Sequence, residues 1–257
     1  MWKALRISLL LVVLVVVAGR TLMDRVETRS WKNTLWVGVF PLNGDGTPQA
    51  ERYIASLSPE DFTSIETFFQ EEAHRYGLAE TQPIHIELYP EGKELPPQLP
   101  ENVGFFGVAW WSLKLRWFAS HAQKVPGRAP PRIRLFVLYH DPSTLPTVPD
   151  SHGLQKGLMG VVHVFANKSM AGSNNIVIAH ELMHTLGASD EYDPSTGAPL
   201  NPAGLGDPHQ VPLFPQTTAE IMAGRRALSP VRFEMPGSLE DVVVGPVTAG
   251  EIGWTHH

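Results

Sequence analysis

Two histidines four residues apart, His180 and His184, enclose Glu181 in the string His180-Glu181-Leu182-Met183-His184. On a helix, residues four apart are separated by ~40° of rotation and ~6 Å of rise, so both imidazoles leave one face and can close on one metal ion. Glu181 stands beside them, placed to hold a water rather than to ligate the ion. A catalytic zinc takes three protein ligands and leaves a position for water. Gly187 can end the helix and turn the chain back, because glycine adopts a positive φ without steric cost, and this brings Asp190 round three residues later as a candidate third ligand. The chain has no cysteine, so thiolate ligands, disulfides and a cysteine nucleophile are excluded, and metal binding must use His, Asp or Glu.

The element carrying these residues, Ser173 to Gly187, reads as one helix with Ser173 or Asn174 as its cap and Gly187 as its stop. Upstream, strands are expected at Thr34 to Pro41, Pro83 to Tyr89, Arg132 to Tyr139 and Leu158 to Ala166. A helix is expected from Ser58, with Pro59 at its first position and Asp61 completing a near capping box, to Tyr76 and Gly77. A second apolar helix, roughly Phe106 to Gln123, carries three of the seven tryptophans and reads as core. Pro194 to Pro215, rich in Pro and Gly with no hydrophobic period, reads as an irregular loop. The fold expected is α+β, with a mixed twisted sheet, an active-site helix and a loop-rich C-terminal lobe.

With 257 residues, 43% of them hydrophobic, the chain can bury one sizeable core, and a single domain over 34–257 is expected after a linker at 21–33. The net charge of -6 is mild and no run of Lys and Arg forms a nucleic-acid footprint, so nucleic acid is excluded as a partner. Lys3 and Arg6 precede an apolar run from Ile7 to Gly19, which reads as a signal peptide or membrane anchor within residues 1–20. Either reading predicts an extracytoplasmic protein, secreted or tethered to the membrane through residues 7–19.

The full string HELMHTLGASD resembles the metzincin clan of zinc peptidases, whose motif continues from the second histidine through glycine to a third His or Asp and is followed by a methionine turn. The aspartate form looks like the snapalysin-type variant, and the matrixins share the rest. The resemblance spans about Leu158 to Trp254. It implies a metzincin-like zincin domain binding Zn2+ through His180, His184 and Asp190, with Glu181 as general base and Met222, in Ala219 to Gly224, as the methionine turn beneath the metal. It further implies that Leu158 to Ala166 is the edge strand to which an extended peptide or protein substrate pairs, and that Ser229 to Trp254 supplies a C-terminal helix. No tyrosine follows Met222 at the offset of astacin-like and serralysin-like members, so a fifth ligand of that kind is not implied.

Weaker signals leave alternatives open. Glu191 or Asp193 can replace Asp190 as ligand, Glu220 can serve as a distant ligand, and Tyr192 can donate a hydrogen bond to an oxyanion. His140, Asp141, His152 and His163 faintly resemble a second, structural zinc site, although solvated or core histidines account for them better. Two other functions share the ligand set: a non-catalytic metal-binding module, and an iron enzyme with two histidines and one carboxylate, which has no use for Glu181.

Overall fold

The computed structural model describes Gly19 and residues 27–98, 104–121, 129–155 and 157–255. A five-stranded mixed sheet, β1 (Leu35–Asn43), β2 (Ile84–Leu88), β3 (Ile133–His140), β4 (His152–Leu154) and β5 (Met159–Phe165), runs in the order β2-β1-β3-β5-β4. All pairings are parallel except that of β4, which lies antiparallel on β5 and forms the edge. The fold is therefore α+β with a mixed sheet.

The inner strands β1, β3 and β5 are buried along almost their whole length, because both faces of the sheet are covered. Alternation sorts their side chains into two layers. Val37, Val39, Leu135, Val137, Val162 and Val164 belong to one core, together with residues of α1 (Pro48–Ala55), α2 (Thr63–Arg75) and α4 (Ala171–Leu186). Phe40, Leu42, Phe136, Leu138, Met159 and Val161 form the other with Trp111, Leu115 and Phe118 of α3 (Phe105–His121). Helix α1 was not foreseen, although its signal stands in the sequence: Thr47 accepts a hydrogen bond from the Ala50 N–H as N-cap, and Pro48 occupies the first helical position. At α2 the expected box is present between Ser58 and Asp61, but it caps a 3-10 turn (Pro59–Phe62) that leads into the helix.

Four expectations need correction. The strand Leu158 to Ala166 is not an edge: β5 is paired on both sides, and the edge is the three-residue β4, which contains the His152 expected in a loop. The tryptophan-rich helix is core on one side only, since Trp110 and Trp117 are exposed. The C-terminal stretch does supply the expected helix, but it is six residues long, α5 (Pro246–Glu251), and the rest of the stretch takes part in two short strand pairs. Finally, among the described residues no helix is long and apolar enough to cross a membrane, so the structure does not support the expected membrane anchor. Residues 7–18 of the apolar run lie outside the described residues.

Candidate metal centre

Helix α4 is fixed in place by polar residues before it reaches the motif. Its N-terminus lies two residues ahead of the expected cap, after a 3-10 turn (Lys168–Met170) whose Asn167 side chain accepts from the Ser169 N–H. Asn174, expected as a cap, instead accepts from the Phe165 N–H and donates to the Phe165 carbonyl, tying the helix to β5. Asn175 donates to the Asp61 carbonyl and the Ser64 hydroxyl, tying it to α2. One turn further on, His180 and His184 project from the same face with ring planes at 87° and centroids 4.7 Å apart.

The other nitrogen of each ring sets its orientation. His180 Nδ1 lies 3.0 Å from the Ile221 carbonyl and His184 Nδ1 lies 2.9 Å from the Ala188 carbonyl. A carbonyl only accepts, so each Nδ1 carries the proton and each Nε2 presents a lone pair. Asp190 Oδ1 stands 3.2 Å from both Nε2 atoms. Ligands ~2.0 to 2.1 Å from a tetrahedral ion are separated by roughly 3.3 Å, so both of these separations are those of ligand atoms around one ion. Burial raises the Asp190 carboxyl, but the two imidazoles outweigh it and hold the group well below the usual carboxylate range. For His184 burial acts downward and is overcome by Asp190, Glu181 and the Ala188 carbonyl, so its pKa rises.

Asp190 reaches this place because Gly187 adopts φ 108°, where a side chain is strained and where a Cβ would meet the Gln155 amide at 2.3 Å. The returning loop is then held by the Ser189 N–H, which donates to Glu251 Oε2 at 2.7 Å. Glu191 and Asp193 do not compete for the metal position. Glu191 is buried, its pKa raised by burial and then by Glu220, Glu251 and Asp190, while its N–H donates to the Met222 carbonyl. Asp193 is spent on its own turn, accepting from Ser195 and Thr196.

Met222 is fully buried in the turn that also offers the Ile221 carbonyl to His180. Glu220, considered as a distant ligand, is the anchor of that turn. One of its oxygens accepts from the Met222 and Ala223 N–H groups, and the other from the Gly245 N–H and the Thr248 hydroxyl. Burial raises its pKa, and these four bonds oppose the rise.

Glu181 is 5% exposed, and its Oε2 has no hydrogen-bond partner among the described residues. Burial raises its pKa, and the neighbouring imidazoles and the Gly153 N–H only partly counter this. Its carboxylate also lies within 4.8 Å of the two histidine nitrogens. Asp190 is nearer to both, at 3.2 Å, and fits the ligand role better; the unpartnered Glu181 oxygen suits a proton acceptor. The edge strand closes over this point: a Cβ on Gly153 would come within 2.5 Å of both the Glu181 carbonyl and His184 Cβ. Tyr192 lies close enough to the site that, after burial, Asp190 and Glu181 contribute to raising its pKa.

The suspected second site does not form. His140 Nε2 and His163 Nδ1 are hydrogen-bonded to each other at 2.9 Å, both buried, and among the described residues only the His180 group has the spacing of a metal cluster. Sequence reasoning missed Gly153, the anchoring role of Glu220 and the two carbonyls that orient the histidines. Backbone acceptors leave no mark in side-chain identity, and Gly153 matters only through long-range pairing. No protein-family model matches the chain, and no curated protein is similar to it.

Proposed function

We propose that this protein is a metzincin-like, zinc-dependent endopeptidase. The observation that carries the reading is the placement of Asp190 Oδ1 at 3.2 Å from two Nε2 atoms whose partner nitrogens are both spent on carbonyls, beside a buried carboxylate with an unpartnered oxygen. Two imidazoles and one carboxylate suit zinc and leave room in its coordination sphere for substrate or water. His180, His184 and Asp190 hold the ion, and the Ile221 and Ala188 carbonyls fix the ring tautomers that ligation requires. Zinc, when bound, supplies Lewis acidity that lowers the pKa of a water and polarises a scissile carbonyl.

Glu181 takes the proton as water attacks the carbonyl carbon and passes it to the departing amine. Its low exposure favours that role, because desolvation brings a carboxyl pKa closer to working pH. An extended substrate pairs with the exposed side of β4, which runs past Glu181 and His184 at Gly153. The presence of Glu181 beside the histidines argues against an oxygenase, which gives such a residue no task.

The test is zinc content and cleavage of a quenched peptide library, measured side by side for wild type and Glu181→Gln. The expected result is equimolar zinc in both and turnover lower by ~10² to 10⁴ in the variant. Equal inertness of both, with zinc retained, would identify a non-catalytic metal-binding module instead.

A further inference from the structure

Helix α3 is apolar on two sides and packed on one. Trp111, Leu115 and Phe118 are buried against the sheet, whereas Phe106, Trp110, Leu113 and Trp117 are 86%, 61%, 59% and 66% exposed. The exposed four follow spacings of four, three and four residues, which places them in one stripe along a helix of about 25 Å. Exposed tryptophans in such a row are costly in water, and an indole beside an ammonium is suited to the boundary between lipid headgroups and acyl chains. Lys114 supplies the ammonium, its Nζ lying 5.8 Å from the Trp110 ring centre.

Charge distribution favours one kind of partner. The chain as a whole carries a net charge of -6. Between Glu101 and Asp141, however, the sequence contains Lys114, Arg116, Lys124, Arg128, Arg132 and Arg134 and no acidic residue, although Arg132 is paired with Glu27. An apolar, aromatic stripe set within the basic segment of an acidic protein complements an anionic surface that is apolar just beneath.

We propose that α3 docks the protein on the surface of an anionic lipid membrane, lying in the headgroup layer with the Trp110, Leu113 and Trp117 side chains inserted. The contact is peripheral and crosses nothing. It lies on the face of the sheet opposite α4 and is independent of the peptidase reading.

The absence of cysteine makes a direct test available with the full chain. A polarity-sensitive fluorophore is attached at Leu113→Cys, or, as a control on the opposite face of the sheet, at the exposed Glu71→Cys of α2. Each protein is mixed with vesicles of phosphatidylcholine alone or of phosphatidylcholine with phosphatidylserine, carrying a nitroxide-labelled lipid. The proposal predicts a blue shift and quenching at position 113 with the anionic vesicles only, none at position 71, and a partition coefficient about fivefold lower after Lys114→Gln, which removes one positive charge. Equal signals at the two positions, or no signal at 113, overturn it. So does a blue shift at 113 that grows with protein concentration without vesicles, which would assign the stripe to self-association.

Discussion

Among the described residues two pairs of histidines have their rings close together, and their environments are opposite. His180 and His184 turn each Nδ1 to a backbone carbonyl and each Nε2 toward Asp190 Oδ1. His140 and His163 spend a nitrogen of each ring on the other, at 2.9 Å, with their rings stacked. Proximity of imidazoles alone therefore does not aim their lone pairs at a common point. A site needs lone pairs aimed at a common point and a carboxylate to complete the charge, and only the first pair has backbone acceptors and an acid to provide both.

The largest difference expected between the pairs is in zinc affinity. Loss of an outer-sphere partner alone costs ~10 to 100-fold, so His184→Ala should weaken zinc binding by more than about 100-fold, whereas His140→Asn should leave it unchanged in a competition titration with a chelator. Comparable zinc loss in both variants would break the distinction.

The pairs should also respond to pH in opposite senses in metal-free protein. Burial, and then His140 and His152, depress His163 to about 4 from the ordinary 6.5. Its contribution to stability is complete above the unfolded value and is lost as pH falls toward the folded one. That loss amounts to about 2 to 3 kcal/mol between pH ~6.5 and ~4. His184 is shifted upward, so its pairing with Asp190 stabilises the zinc-free protein at low pH and fades as pH rises through the folded value. Urea unfolding of zinc-free protein across this range, compared with His163→Gln and His184→Gln, should show the acid loss flattened by the first substitution and deepened by the second.

A smaller effect is expected at Gly153. Its Cβ would strike the Glu181 carbonyl and His184 Cβ at 2.5 Å, so Gly153→Ala should destabilise the fold by about 1 to 3 kcal/mol and displace Glu181. Chemical denaturation should detect the first consequence. Peptide cleavage at unchanged zinc content should detect the second; a variant as stable and as active as wild type would mean that β4 does not set the Glu181 position.

The sequence revealed what depends on local spacing. The motif helix, the stop at Gly187, the return of Asp190 and the inner strands β1, β3 and β5 all lie where side-chain periodicity and glycine placed them. What remained hidden depends on distant partners. The edge strand β4 has three residues and none is β-branched, so only its pairing with β5 defines it. Glu220 looks like any acid near a histidine motif until the Gly245 N–H and the Thr248 hydroxyl are seen to accompany it. Helix α3 was expected to be core because its apolar residues continue around the whole surface; the sheet covers only one side of it.

Zinc-edge anomalous diffraction from crystals soaked in zinc tests the central claim most directly. The account predicts one strong peak ~2.0 to 2.2 Å from His180 Nε2, His184 Nε2 and an Asp190 oxygen. A peak between His140 and His163, or none at His180 and His184, would contradict it.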